Sequence, residues 1–598
     1  MTHSNNPFHL PQRKPADAGS EVFVPKSFRF WVETLPTGDK DQTAQDLHHQ
    51  LKAMNHYDMS PADRMENLEL MLPQLLVVLD DLGAHPTPEL FSENRRDRFI
   101  YKLDMSLYVL IIQAYKITLE QYHHESIVGH LLHRGKRAAA IHRVVYFLGR
   151  TLLHAFHYYQ PAPDSLWREL HGFYHYALHH HLDHVVLENE DHLLVDSSTV
   201  SDLYKQALLL ALADPYQLKH GEVNRVYVVL KRWAGRCRIS PIDVNEAASD
   251  AFVVILGTDA PPVRLAAGQT MDLQEGWVIS TDDVIARLME ELSTTQTQLS
   301  SMRPQDDLEV VDPDLLTRLM LAWGGGGKRA SDRAESQGDV VVTFGLNALY
   351  ALSGGDESPE LFNIDIAVDT IEVEEEVGVH NLAHDQFFIN GAPDLSQAET
   401  VPPQVVEKVS PSERIAVENK GFTRDCMVFD ESDHGYHLGW IGKGDSGIRV
   451  GELIGVSHQL SKLADQLQLC IVRWMRASKP GLLDFGVEVV AGVLDTAIVR
   501  LQKPGEEEYV SYRAFLQTKD DGVVTLIMSP FYSLGTPKIV LVEKRVIRKI
   551  VLNRVIEATS SFIQFSFDEL EQCTEGELEN RIEDSEGLTQ FDMLWKNI

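Results

Sequence analysis

The sequence predicts a multidomain α+β protein: an N-terminal all-α helical domain, a small α/β connector and a β-rich C-terminal half. Two observations lead there. From about Ser27 to Gly235 apolar residues recur at the 3.6-residue spacing of amphipathic helices. After Val340 the pattern becomes short, β-branched and aromatic runs such as Leu469-Cys-Ile-Val-Arg-Trp474 and Phe485-Gly-Val-Glu-Val-Val490. Charge divides the chain at nearly the same place. The net charge is −34, from 54 Lys and Arg against 88 Asp and Glu. Residues 1–235 hold 23 of those bases and 28 of those acids, so the acidic excess lies almost wholly downstream. A length of 598 residues, at ~150 residues per domain, allows roughly three to four domains.

Taken in order, residues 1–25 read as a flexible arm and 26–235 as a helical domain resembling TPR or α-solenoid scaffolds. Ser60-Pro-Ala-Asp63 reads as a helix start, with a capping hydroxyl, proline at the first position and an acid in the first turn. Further helices are expected over Leu103–Tyr122, Ala138–Tyr159, Ser165–Val186 and Val200–Ala213. Residues 236–300 carry the connector, with strands at 250–256 and 276–279 and a helix at 281–292. Thr294–Asp312 reads as a polar linker, and Pro313–Trp323 as a short helix closing the segment 301–323. The first barrel domain is placed at 324–505, with Val340–Tyr350 as its opening strand and an acidic insertion at about 353–411. Strands continue with Arg414–Val417, Cys426–Phe429 and Gly435–Trp440. A further β unit occupies 506–570, either a second barrel or an extension of the first, and 571–598 reads as an acidic tail.

Of the 26 histidines, 20 precede residue 200. His171, His175 and His179 repeat at four-residue spacing, a geometry in which two imidazoles can share a metal. Each follows an apolar position of the same helix by one residue, which places the three on the shoulder of its buried stripe. No His-Glu-x-x-His or Glu-x-x-His frame joins them, so a structural role is preferred over a metal site, with a pH-responsive surface as a third reading. Four widely spaced cysteines form no metal motif and point to a reducing compartment. The N-terminus has no apolar signal core, and the longest apolar run, near Met105–Ala114, is too short to span a bilayer. A cytoplasmic protein without direct membrane insertion is expected. So strongly acidic a surface also disfavours nucleic acid as a partner.

The chemistry-bearing stretches are Trp323-Gly-Gly-Gly-Gly-Lys-Arg-Ala-Ser-Asp-Arg333 and Phe429-Asp-Glu-Ser-Asp-His-Gly435. The first ends a four-glycine run in a basic pair, with a further arginine four residues on. The second sets an acceptor, a hydroxyl and a turn glycine in a fixed frame. R-x-x-x-R followed by D-x-S-x-x-G resembles the signature of the PilZ-domain cyclic di-GMP receptor family, so the resemblance implies a PilZ-like β-barrel. It further implies that Arg329 and Arg333 grip phosphates and guanine edges with Lys328 adding charge, that Asp430 and Ser432 read guanine, and that Gly435 shapes the turn. Arginine suits both phosphate and the O6/N7 edge of guanine, because its planar fork binds either in bidentate fashion. The glycines would let the arm fold over its ligand. Arg333 and Asp430 lie 97 positions apart, further than in a compact PilZ domain, and the acidic insertion accounts for the excess. Two look-alikes are set aside. Gly324–Lys328 lacks the leading glycine and following Ser or Thr of a phosphate-binding P-loop. Gly444-Asp-Ser-Gly447 has no histidine in a matching context and reads as a turn between strands.

The expected function is that of a non-enzymatic effector with cyclic di-GMP as ligand, no cofactor, and a protein partner on the helical domain. The alternatives are a nucleotide-independent scaffold or adaptor acting through the helical domain, and a histidine-bound metal protein.

Overall fold

A computed structural model describes residues 10, 12–15, 22–83, 95–124, 129, 132–188, 197–242, 251–265, 276–299, 313–325, 334–355, 423–442, 446–458, 467–479, 481–502, 509–530, 538–543, 546–559 and 561–574. Two compact units emerge, one of residues 1–339, 426–451 and 471–489, the other of 340–425, 452–470 and 490–598.

The first unit begins with helices α1 (Pro25–Glu33), α2 (Lys40–His56), α3 (Pro61–Gly83), α4 (Arg95–His123), α5 (Arg134–His157), α6 (Leu166–His179), α7 (Val200–Leu212) and α8 (Glu222–Trp233). The expected start of α3 is present: Ser60 Oγ accepts the Asp63 amide at 3.0 Å. A reciprocal Thr199–Asp202 capping box opens α7. Helix α5 is the pillar, buried almost all round from Arg137 to Phe156 and packed on α3, α4, α6, α7 and α8. Some of the polar groups that sink with it form a connected set. The Arg143 guanidinium donates to both oxygens of Glu69 at 3.1 and 2.9 Å, and also to His142 Nδ1 at 3.1 Å. An acceptor at Nδ1 leaves the His142 proton on Nε2, which donates to Ser198 Oγ at 2.8 Å. Ser198 belongs to a two-residue ladder between β1 (Leu187–Glu188) and β2 (Ser197–Ser198). The helix expected to reach Val186 ends at His179, where the chain turns through His181 in a left-handed conformation (φ 53°).

A four-stranded antiparallel sheet follows, in the order β3 (Arg238–Pro241), β6 (Gly276–Ser280), β4 (Phe252–Ile255), β5 (Val263–Arg264). Helix α9 (Asp282–Leu299) extends beyond Thr294, where a linker was expected. Helix α10 (Pro313–Trp323) is anchored at its end. Trp323 is fully buried, its Nε1 donates to Leu209 O at 2.9 Å, and its carbonyl accepts Thr281 Oγ1 at 2.8 Å. The four glycines therefore leave from a fixed point.

A closed six-stranded barrel comprises β7 (Ala334–Phe344), β8 (Thr423–Ser432), β9 (Gly435–Ile441), β10 (Leu453–Ser457), β11 (Gln468–Lys479) and β12 (Leu482–Val489), in the order β10-β11-β12-β9-β8-β7. Within the first unit, β11 continues into the helical domain: Met475 N donates to Tyr216 O at 3.0 Å and Ala477 N to Tyr159 O at 2.9 Å. Between these two, the Arg476 guanidinium lies 5.3 Å from the Tyr216 ring centre.

In the second unit the opening strand ends sooner than expected. Gly345, at φ 83°, turns the chain out of β7, and Leu346–Leu352 forms helix α11. The further β unit is a second closed barrel of β13 (Val493–Gln502), β14 (Tyr509–Thr518), β15 (Val524–Met528), β16 (Lys538–Glu543), β17 (Val546–Ala558) and β18 (Ile563–Thr574), ordered β13-β14-β15-β18-β17-β16. Its last strand runs past residue 570, where the tail was expected to begin. A buried polar set spans it: Gln564 Nε2 donates to Gln517 Oε1 at 2.6 Å, and Thr525 Oγ1 donates to the same oxygen at 2.9 Å. The acidic insertion, apart from its first few residues, and the strand expected at Arg414–Val417 lie outside the described residues.

Two stability predictions arise. Trp323→Ala should cost about 3–5 kcal/mol in chemical denaturation, the range for removing a fully buried indole; a loss under ~1 kcal/mol would mean that α10 is not docked as drawn. The second concerns acid. Burial first, then the Arg143 charge, lowers the His142 pKa to about 3. Unfolded, the ring titrates near ~6.5, so below that pH the unfolded state binds the extra proton. The stability present above ~6.5 is thus lost as pH falls toward the folded value, at up to about 1.4 kcal/mol per pH unit. His142→Gln should shrink the difference in unfolding free energy between pH 7 and pH 5 by roughly 1–2 kcal/mol, and an unchanged difference would refute the neutral buried ring.

Candidate functional site

Strands β8 and β9 form a hairpin whose two-residue turn is Asp433-His434. Across it Ser432 faces Gly435 and Asp430 faces His437. Ser432 Oγ donates to Gly435 O and accepts the His434 amide, both at 3.4 Å, so the hydroxyl braces the turn. Gly435 is required by packing. A Cβ there would sit 2.0 Å from Val487 O on β12, with which β9 pairs. Asp430, Ser432 and Gly435 are thus brought together on one hairpin. Lys328, Arg329 and Arg333 lie outside the described residues; what surrounds them is described on both sides. Upstream, Gly325 adopts φ 70° and a Cβ on it would meet the Arg264 guanidinium carbon at 2.8 Å, so this glycine meets a conformational and a steric demand at once. Downstream, β7 begins at Ala334, the residue after Arg333, and lies beside β8 in the barrel.

Around Asp430 the structure adds residues that the sequence reading did not single out. The β8–β9 register shifts between Val428 and Asp430, a bulge that turns Phe429 outward. Asp430 Oδ2 lies 3.1 Å from His437 Nδ1. The imidazole is flanked by Phe429 and Trp474, at 4.9 and 5.1 Å between ring centres. Both aromatic rings lie where glycines make room: Phe429 covers Gly439 and the Trp474 indole covers Gly486. Only the pairing of His437 with Asp430 across the bulge brings these residues together, so spacing along the chain offers no signal for it.

The histidine-rich helix divides by burial. His171 is fully buried instead of lying on a shoulder. One of its nitrogens is 2.8 Å from Tyr204 Oη and the other 2.9 Å from Ala260 O, so both are engaged within the protein. Burial lowers its pKa. His175 and His179 are exposed. Among the described residues, no three or more metal-binding side chains converge. Ser446 of the protease-like stretch is buried, its Oγ accepting the Ile448 amide at 3.1 Å, which makes it part of a turn. Among the described residues no helix is long and apolar enough to cross a membrane.

Comparison with known proteins places this geometry. Residues 26–244 match the family model described as the N-terminal domain of the cyclic-di-GMP receptor FimW, and residues 251–493 that of its middle PilZ domain. The second range contains the first barrel and the β8–β9 hairpin, while the second barrel falls almost wholly beyond it. The chain is 25% identical over 624 aligned residues to the cyclic-di-GMP receptor FimW of Pseudomonas aeruginosa, with 99% of each chain covered. No solved structure matches. Both models describe a receptor and not an enzyme, and together they account for the helical domain, the connector and the barrel that carries Asp430. The chain belongs to the PilZ-domain family of cyclic di-GMP receptors.

Proposed function

We propose that this protein is a cyclic di-GMP-binding effector in which nucleotide binding at the PilZ barrel is coupled to a helical domain that contacts a protein partner. The observation that carries the reading is the D-x-S-x-x-G hairpin within the matched PilZ domain, on a strand adjacent to β7, which Arg333 immediately precedes. In this reading Arg329 and Arg333 fork onto phosphates and guanine edges, and Lys328 adds a point charge. Asp430 accepts from guanine N1–H or N2–H₂, an edge that adenine lacks, and Ser432 donates or accepts beside it. A dianion held by a local cluster of bases suits a chain whose overall charge of −34 repels polyanions.

The coupling rests on β11. Its Trp474 lies beside His437 at the hairpin, and the next three residues bind Tyr216 and Tyr159 of the helical domain through two backbone hydrogen bonds and a cation–π contact. A ligand that alters the hairpin would act on a strand already joined to the helical domain, which is the linkage an effector needs.

Calorimetry on the full chain tests binding. Cyclic di-GMP should bind, and cyclic di-AMP at least ~100-fold more weakly, because mismatched buried polar groups cost about 1–3 kcal/mol each. Equal affinity for the two would remove the guanine reading, and no binding of either would remove the receptor reading. Arg329→Ala and Arg333→Ala should each lose about 2–5 kcal/mol of binding with unchanged circular dichroism. Variants that bind like wild type would place the ligand elsewhere.

A further inference from the structure

His437 is not part of the D-x-S-x-x-G frame, yet neighbouring strands make room beside it. Two glycines bear this out. His437 pairs with Gly486 across β9 and β12, and a Cβ on Gly486 would lie 1.9 Å from Trp474 Nε1. Gly439, two residues along the same face of β9, would with a Cβ meet Phe429 Cε2 at 2.5 Å. The missing side chains let an indole from β11 and a phenyl from β8 close on the imidazole from opposite sides. The bulge that frees Phe429 for this is the same one that brings Asp430 opposite His437.

The chemistry of the pair fixes the tautomer. Ionised Asp430 offers acceptors only, so the ring nitrogen 3.1 Å from its Oδ2 must carry the proton. His437 Nε2 is buried and has no hydrogen-bond partner among the described residues, which in a neutral ring leaves a bare acceptor. A histidine used only for packing needs no aligned carboxylate, and a surface ion pair needs no clamp. Here the imidazole lies between two aromatic rings and directs its Nδ1–H at the acid that the PilZ frame assigns to guanine.

We infer that His437 is a positioning residue of the nucleotide site: its Nδ1–H sets the plane of the Asp430 carboxylate, and Phe429 and Trp474 hold the ring that does so. The ligand class is the guanine of a cyclic dinucleotide, and the inference rests on the receptor reading above. A carboxylate free to rotate pays its ordering cost when the base arrives. One already held does not, and it also rejects a base whose donors point elsewhere.

The test is a double-mutant cycle read by calorimetry with cyclic di-GMP and cyclic di-AMP on the full chain. His437→Phe keeps a ring between Phe429 and Trp474 and deletes the donor. It should weaken cyclic di-GMP about ten- to a hundredfold, the scale of a hydrogen bond to a charged group, and lower the guanine-over-adenine preference by a similar factor. His437→Asn, whose amide can donate from nearly the Nδ1 position, should recover most of that preference. In an Asp430→Asn background, His437→Phe should add less than about a twofold further loss, because the two residues act as one unit. Additive losses, an unchanged guanine preference in His437→Phe, or equal losses in the Phe and Asn variants would each overturn the inference while leaving cyclic di-GMP binding intact. Wild-type protein that binds neither nucleotide would overturn the receptor reading, and this inference with it.

Discussion

The candidate site depends on how closely β9 approaches the elements beside it. Gly435 lies against the Val487 carbonyl at a separation no side chain could accept, and Gly486 and Gly439 leave their faces open to rings from β11 and β8. Backbone hydrogen bonds would hold such a ladder with almost any residues. Only glycine lets the hairpin sit this low and lets aromatic groups cross the strands. From that packing follow the position of Asp430, the bulge at Phe429 and the fixed orientation of His437. The glycine of the motif is therefore a statement about backbone clearance.

The first unit adds a second constraint, two anchored points among the described residues. One is Trp323, sealed in the core by hydrogen bonds from its indole and to its carbonyl immediately before the glycines. The other is β11, whose amides at Met475 and Ala477 are satisfied by helical-domain carbonyls. Tyr159, which supplies one of those carbonyls, sits at φ 55°, a conformation that costs free energy and is held there by its surroundings. A segment carrying the basic residues thus lies between a fixed exit at Gly325 and a fixed entry at Ala334.

Burial of polar groups in the helical domain follows a different logic. Arg143, Glu69, His142 and Ser198 form a connected set of hydrogen bonds, and burial together with the Arg143 charge keeps His142 neutral. The histidines that looked most like metal ligands divide between the core and the solvent, and His171 spends both nitrogens on the fold. Of the described histidines in this half, His142, His154 and His171 are buried.

By itself the sequence determined the order of domains, the helix-to-strand switch near residue 235 and the motif residues Asp430, Ser432 and Gly435. These are local: each is written in the period of apolar residues or in a short run of contiguous side chains. It also placed Arg329 and Arg333 in the pattern by spacing alone. Tertiary structure decided what spacing cannot encode. Helix α11 replaced the end of a strand because Gly345 takes a left-handed turn, while the composition of Leu346–Leu352 suits either state. Closure of two barrels rather than one is a matter of which strand pairs with which, and pairing is non-local. His437, Phe429 and Trp474 lie on three different strands, and a bulge of one residue brings them together. A one-residue shift in register moves side chains from one face to the other, so only the folded sheet could reveal which ring holds the acid.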